Sequence, residues 1–191
     1  MLAIMKSAKH LSFIVAGCAL ALFIISSASA AAATSDQPKS AYTTGQKAPA
    51  FEAKTTDGKT IKFPSDYKGK VVLLDFWATW CGPCRAEMPN VVAAYNQHHA
   101  KGFEVIGISL DRENAWGTVT KYASEHSMPW PQVYDGKYWK AAVAQQYGIR
   151  SIPRPILVDG DTGTILGEGP EVRGQKLGPA IEKGLAAKKK S

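Results

Sequence analysis

Two cysteines separated by two residues are the part of this 191-residue chain best suited to chemistry, within the segment Trp80-Cys81-Gly82-Pro83-Cys84. Thiols at this spacing can close a small disulfide ring without moving the rest of a fold. Where such a turn opens a helix, the positive end of the helix dipole favours the thiolate of the first cysteine. The spacing therefore predicts reversible dithiol–disulfide chemistry at Cys81 and Cys84.

The segments on either side of the cysteines are those that a redox dithiol requires. Residues 71–77 are apolar except for Asp75, which predicts a fully buried strand. Residues 85–100 place apolar side chains on one helical face. A strand, a CxxC pair and a helix in this order indicate redox chemistry, because a zinc site would need a second pair of Cys or His ligands. We expect no metal at this site.

The rest of the chain predicts an α/β domain. A hairpin around Asp57-Gly58 comes first, and a strand at residues 103–110 follows the central helix. Strands are also predicted at residues 156–158 and 164–166, with a turn between them. The remaining predicted helices span residues 113–126, 138–147 and 175–187. This order predicts a mixed sheet with helices on both faces.

The first 30 residues read as a signal peptide or an N-terminal anchor. Lys6 and Lys9 precede an apolar run at residues 11–25, and Ala28-Ser29-Ala30 fits a cleavage site, so we expect export with cleavage near Ala30. Two alternatives stay open. The run could remain as an uncleaved membrane anchor, or Cys18 could be lipidated, making the chain a lipoprotein.

Composition divides the remaining chain into a flexible linker at residues 31–45, a domain at residues 46–187 and a basic tail at residues 188–191. Removing the leader would also remove Cys18 and leave one cysteine pair. An exported dithiol lies where thiols oxidise, so a reductant there needs an electron donor. Much of the net charge of +7 lies in the lysines at residues 188–190, and the other basic residues are scattered among acids, which argues against a nucleic-acid partner.

Several motifs together resemble a known family. Residues 75–84, with Pro89 following, closely resemble the active-site strand and helix of thioredoxin. The opening at residues 45–51 and the segments 147–149 and 153–159 look like the TlpA/ResA branch of the AhpC/TSA–redoxin superfamily. This resemblance implies a thioredoxin-like fold: a central mixed β-sheet flanked by helices, with an N-terminal β-hairpin and a central insert. It also implies an exported thiol–disulfide oxidoreductase.

The resemblance extends over residues 45–187 and assigns roles to individual residues. Cys81 would attack the substrate disulfide, Cys84 would resolve the mixed disulfide, and the two would form the Cys81–Cys84 disulfide. Asp75 matches a buried acid that relays the proton of Cys84, and burial should raise its pKa. Pro153 matches a cis-proline that leaves the backbone of Ile152 open for pairing with a substrate strand.

Further residues are expected to contact the substrate. Trp80 should be a partly exposed contact surface, and Gly82 and Pro83 complete the dithiol turn. Arg154 stands where the family usually has threonine, and two readings of it stay open. Its guanidinium could lie near the dithiol, lowering the pKa of the Cys81 thiol or selecting an acidic substrate, or it could face solvent.

The predicted function is an exported, periplasmic reductase of protein disulfides, and a role in cytochrome c maturation fits it. Its partners would be disulfide-bearing substrate proteins and a membrane dithiol protein that donates electrons, with no cofactor. A thiol peroxidase of the AhpC/TSA type is one alternative, although Thr79 lies two residues before Cys81 rather than three. A copper-binding chaperone is another, although His98, His99 and His126 are expected to be surface residues.

Overall fold

The computed structural model describes residues 41–189, so the predicted leader, most of the predicted linker and residues 190–191 lie outside the described part. The strands are β1 (Phe51–Lys54), β2 (Thr60–Phe63), β3 (Val71–Trp77), β4 (Phe103–Ser109), β5 (Gln132–Val133), β6 (Arg154–Asp159) and β7 (Ile165–Glu168). The helices are α1 (Gly82–His98), α2 (Trp116–Glu125), α3 (Ala142–Gln146) and α4 (Leu177–Lys188). Within residues 41–189, no helix combines the length and hydropathy that crossing a bilayer requires.

A five-stranded mixed sheet in the order β5-β4-β3-β6-β7 forms the centre of the domain. β3 pairs in parallel with β4 and antiparallel with β6, so it is the middle strand. All seven of its residues are buried, as the continuous apolar run predicts for a strand covered on both faces. The predicted α/β class and mixed sheet are confirmed.

Alternate residues of β3 face two different layers. Trp77 packs on Tyr122 of α2, with ring centroids 5.3 Å apart, and Val71 lies against Gly184 of α4. On the opposite face, Phe76 packs 5.5 Å from Tyr147, which directly follows α3. α1 packs against α4, and Phe51 of β1 packs against Tyr147, so the three longer helices share one face while α3 and the β1–β2 hairpin cover the other.

The domain includes residues that the sequence assigned to the linker. The amide of Gly45 donates to the carbonyl oxygen of Ile165 at 2.8 Å, and the ring of Tyr42 lies 5.9 Å from that of Tyr147. These contacts attach residues 41–45 to β7 and to the layer formed by α3 and the β1–β2 hairpin. Residues 31–45 are mostly small or polar, so their composition indicated a linker and gave no sign of these contacts, which are made by the backbone of Gly45 and by the ring of Tyr42.

The predicted basic tail also begins inside the fold. α4 continues to Lys188, whose ammonium binds Asp159 Oδ1 at 3.0 Å and also binds Asp161. Both carboxylates belong to the turn between β6 and β7. A run of lysines resembles a solvated tail in sequence, but the first of them meets two acids that are distant along the chain.

The central insert differs from its prediction in two places. Gln132 and Val133 form the short edge strand β5, which the sequence did not predict. The predicted helix at residues 138–147 is divided into a 3-10 turn at Tyr138–Lys140 and the helix α3. Ala141, with φ −52° and ψ 131°, interrupts the helical geometry between them. Tyr138 is thereby placed beside Trp80.

Candidate active site

Cys81 and Cys84 form a disulfide at the point where the turn after β3 enters α1. Cys81 is the N-cap residue of α1, and its Sγ accepts a hydrogen bond of 3.2 Å from the amide of Cys84. The pair therefore lies at the positive end of a 17-residue helix. In the reduced state this position favours a thiolate at Cys81, because the first amides of a helix stabilise negative charge.

The two cysteines have different surroundings. Both are buried in the disulfide state, but Cys81 lines an open groove of 380 Å³ and Cys84 does not. The other lining residues come from the active-site turn, from the insert and from the loop before β6: Trp80, Gly82, Pro83, Trp139, Arg150, Ser151 and Ile152. A substrate entering this groove would meet Cys81 first.

An aromatic cluster forms one wall of the groove. Trp80 is 44% exposed, and its ring centroid lies 5.2 Å from that of Tyr138 and 6.1 Å from that of Trp139. The guanidinium of Arg112 lies 4.0 Å above the ring of Tyr138. The predicted exposure of Trp80 thus matches the structure. Its two aromatic neighbours were missed because they come from the insert, about 60 residues further along the chain.

A buried carboxylate holds the turn that precedes Cys81. Asp111 accepts hydrogen bonds from the amide of Thr79 at 3.0 Å and from the hydroxyl of Ser109 at 2.8 Å. The Thr79 hydroxyl donates to the same carboxylate. Trp80 is fixed separately, since its indole N–H donates to the carbonyl of Leu110 at 3.3 Å. These bonds link the turn to the end of β4.

Asp75 is buried in β3 on the face covered by α1, α2 and α4. Burial raises its pKa from the ordinary 3.8 to about 7, because a charged carboxylate loses its hydration there. The negative charge of Glu87 raises the pKa further, and the positive charge of Arg173 opposes this effect. Near neutral pH, Asp75 can therefore exchange a proton.

Glu87 acts electrostatically on Asp75 and shares a face of α1 with the second cysteine. It lies three residues after Cys84, so the two occupy neighbouring positions on one face of α1. Its Oε1 accepts a hydrogen bond of 2.6 Å from the amide of Gly174, in the segment before α4. Glu87 and Arg173 were not among the predicted site residues. The helical spacing between Cys84 and Glu87 was the available signal for one of them.

The loop before β6 brings Ile152 to the groove beside Cys81. The Ile152–Pro153 peptide bond is cis, and Pro153 is buried and does not line the groove. Arg150 and Ser151 precede Ile152 and also line the groove. Three consecutive residues of this loop therefore face a substrate bound at Cys81.

Arg154 occupies neither of the two predicted environments. It is only 4% exposed, so the expectation that it faces solvent is wrong, and it is not among the residues lining the groove. Its guanidinium forms an ion pair with Glu168 of β7 and packs against Gly169. The register of β6 on β3 pairs Arg154 with Phe76, which places it on the face opposite Asp75. The arginine in the groove is Arg150.

The three histidines within residues 41–189 are not arranged as metal ligands. His98, expected at the surface, is 1% exposed, and burial lowers its pKa, whereas His99 and His126 are exposed. His98 was misassigned because it ends the buried face of α1. Among residues 41–189, no group of His, Cys, Asp and Glu could hold a metal ion.

Comparisons with known proteins identify the same family that the sequence motifs resemble. The AhpC/TSA family model matches residues 44–165. The thiol-disulfide oxidoreductase ResA of Bacillus thuringiensis subsp. konkukian (strain 97-27) is 30% identical over 141 residues, covering 74% of this chain and 76% of the relative. The thioredoxin domain of a Bacteroides vulgatus thiol-disulfide oxidoreductase matches with a TM-score of 0.64 and 37% identity, covering 74% of this chain and 97% of that structure.

A second solved structure, a thiol:disulfide interchange protein from Bacteroides sp., matches with a TM-score of 0.62 and 35% identity over 73% of this chain and 88% of that one. The fold and the cysteine pair thus define a thioredoxin-fold thiol–disulfide oxidoreductase. The chain belongs to the AhpC/TSA family and is similar to its ResA/TlpA-like members. The predicted family, fold and enzyme class are confirmed.

Proposed function

We propose that this protein is an exported reductase of protein disulfides in which Cys81 is the nucleophile. The observation that carries the proposal is the asymmetry of the Cys81–Cys84 pair. Cys81 lies at a helix N-terminus and lines the groove, whereas Cys84 lies outside that lining. A thiolate that substrate can reach beside a second, shielded thiol suits attack followed by resolution.

The reaction begins from the reduced pair. The Cys81 thiolate attacks one sulfur of the substrate disulfide, which forms a mixed disulfide and releases the first substrate thiolate. Cys84 then loses its proton to the Asp75 carboxylate, and its sulfur attacks that of Cys81. This step closes the Cys81–Cys84 disulfide and releases the second substrate thiolate. The substrate gains two electrons and, with two protons, becomes a dithiol, while the enzyme is oxidised.

The reducing direction is supported by Gly82 and Pro83 between the cysteines, which match thioredoxin. A membrane dithiol protein would return two electrons to the disulfide, and disulfides of exported proteins, including an apocytochrome c, would be substrates. The leader supports a periplasmic location. Its apolar run at residues 11–25 also allows the anchored form, and Cys18 allows the lipoprotein.

The reduction potential of the Cys81–Cys84 pair tests the reducing direction. The protein beginning at Ala31 is equilibrated with glutathione or dithiothreitol buffers, and its thiol state is read by alkylation. We expect about −270 mV, the value of thioredoxin. A potential near about −120 mV, where strong oxidants lie, would instead make the protein an oxidase or isomerase.

The N-terminus of the protein recovered from its own cell envelope tests the proposed location. A mass that begins near Ala31 supports cleavage and a soluble periplasmic form. An intact N-terminus found in the membrane fraction supports the anchor, and a lipid-modified Cys18 supports the lipoprotein. Recovery of the intact chain from the cytoplasm alone would contradict export.

A thiol peroxidase is the second candidate, because the AhpC/TSA family model matches most of the domain. In this structure the hydroxyl of Thr79, the threonine two residues before Cys81, donates a hydrogen bond to Asp111. Hydrogen peroxide consumption with dithiothreitol as the electron source separates the two functions. We expect slow consumption compared with the reduction of a protein disulfide, and peroxide turnover exceeding disulfide turnover would reverse the assignment. Copper titration of the reduced protein tests the chaperone alternative in the same samples.

A further inference from the structure

The groove beside Cys81 has a positively charged rim that the proposed thiol chemistry does not require. Arg150 is exposed and lines the groove directly. Arg112 is also exposed, and its guanidinium lies 4.0 Å above Tyr138, the ring that packs on Trp80. Two cations thus lie at or near the groove, one in the loop before β6 and one beyond the aromatic wall.

Arg150 is the one charged side chain among the described residues that line the groove. None of the described residues that line the groove is acidic. Asp111 and Asp135 are not among the lining residues: Asp111 accepts hydrogen bonds from Thr79 and Ser109, and Asp135 accepts them from the amides of Lys137 and Ala142. A negatively charged group that enters the groove would therefore meet the guanidinium of Arg150 and no carboxylate in the lining.

The groove also has the apolar surface that a polypeptide side chain needs. Trp80 and Trp139 form a wall with ring centroids 6.1 Å apart, and Ile152 lies in the same lining. Aromatic surfaces beside arginine are the usual anchors of protein recognition sites. Apolar walls together with a cationic rim fit a peptide segment that carries both a hydrophobic side chain and a carboxylate.

We propose that this groove selects protein disulfides whose cysteine has an acidic residue close to it in the sequence. Arg150 and Cys81 line the same groove, so a substrate whose cysteine reaches Cys81 brings the residues beside that cysteine within reach of the Arg150 guanidinium. This inference rests on the proposed reductase function and names its substrate class.

The test uses peptide disulfides that differ at one position. Three short peptides of identical sequence carry Glu, Gln or Lys two residues from a single cysteine, and each is oxidised to its disulfide-linked dimer. The full-length protein is reduced, freed of reductant and mixed with each dimer, and the released peptide thiol is measured by chromatography. Each rate constant is divided by the rate constant of the same dimer with dithiothreitol, which removes differences in intrinsic disulfide reactivity.

We expect the normalised rates to follow the order Glu, Gln, Lys, with a Glu-to-Lys ratio of about ten at low ionic strength. Raising the salt concentration to about 0.5 M should reduce the ratio to about two, because both charges are exposed to solvent. In Arg150→Gln the ratio should fall about threefold, and in the Arg150→Gln/Arg112→Gln double variant it should approach one.

The matched control is Lys183→Gln, which removes one positive charge from α4, beside a different groove. Its Glu-to-Lys ratio should equal that of the unmodified protein. A ratio near one in the unmodified protein, or a ratio that survives in the double variant, would overturn the inference and leave the reductase function standing. If no dimer is reduced faster than by a Cys81→Ser variant, the reductase function itself fails, and the inference fails with it.

Discussion

Different kinds of side chain surround the two sides of the disulfide. On the groove side, Cys81 is accompanied by partly exposed aromatic rings and by Arg150. On the inner side, Cys84 precedes Glu87 on α1, and the buried Asp75 lies in the central strand beneath the helices. The groove side offers surface to a partner, whereas the inner side offers a carboxyl group with a pKa near neutrality.

This difference separates two tasks within one small ring. Water still reaches the groove residues, so they lose little hydration free energy in the folded protein. They can therefore contribute to recognition without stabilising the fold. Inner residues have lost their hydration, so their charges affect the free energy of unfolding as well as catalysis. Substitutions on the two sides should therefore affect different measurements.

The largest expected effect distinguishes the two cysteines themselves. Cys81→Ser and Cys84→Ser should each reduce disulfide turnover by at least about 1,000-fold, because each removes one half of the exchange. Only Cys84→Ser should accumulate a mixed disulfide with substrate, visible by mass spectrometry under non-reducing conditions. If Cys81→Ser is the variant that traps substrate, the roles of the two sulfurs are reversed.

A large stability effect is expected at Arg154, which is buried and pairs with the partly buried Glu168. Arg154→Met should lower the free energy of unfolding by about 3–5 kcal/mol, because it leaves the Glu168 carboxylate without its partner. Arg150→Met, the matched variant in the exposed groove, should change it by less than about 0.5 kcal/mol. Urea unfolding of both variants makes the comparison. Equal losses would mean that burial does not distinguish these two arginines.

Asp75→Asn should raise the free energy of unfolding of the oxidised protein by about 2–4 kcal/mol at pH 8. The folded-state pKa of about 7 exceeds the ordinary 3.8, so the folded state binds the proton more tightly than the unfolded state. The unmodified protein therefore loses stability as the pH rises from about 4 to about 7, and the asparagine variant should not.

Urea unfolding of the unmodified and Asp75→Asn proteins at pH 4, 6 and 8 measures this divergence. The variant should also resolve mixed disulfides about tenfold or more slowly, since it cannot accept the proton of Cys84. Parallel stability curves across this pH range would show that Asp75 titrates in the folded state as it does in the unfolded chain.

The smallest expected effect is at the aromatic wall. Trp139→Ala should weaken substrate binding by about 1–2 kcal/mol, seen as a roughly five- to thirtyfold higher KM for a protein disulfide. In this variant kcat should depend on pH as it does in the unmodified protein, because the group that accepts the proton, the Asp75 carboxylate, lies on the inner side. A shifted pH profile would indicate that the groove and the inner carboxyl are coupled.

Local sequence predicted much of the site because the relevant interactions are local. Residues within about 25 positions of one another determine the CxxC spacing, the buried strand before it and the helix after it. The periodicity of the strand and the helix is visible in the sequence itself. Asp75 was recognisable as a lone acid in an apolar strand, and the structure places it in a buried site where its pKa is raised. The β1–β2 hairpin was likewise indicated by Asp57-Gly58 between two extended runs.

Tertiary structure alone decided which distant residues join that site. Arg150 and Arg154 lie on either side of the Ile152–Pro153 bond, and only the pairing of β6 with β3 and β7 shows that the second is buried and the first faces the groove. Tyr138 and Trp139 reach Trp80 because Ala141 breaks the helix that contiguous sequence favoured. Sequence thus determined the reactive pair and its class of chemistry. The substrate-facing surface depends on register and packing between segments far apart in the chain, which no local pattern encodes.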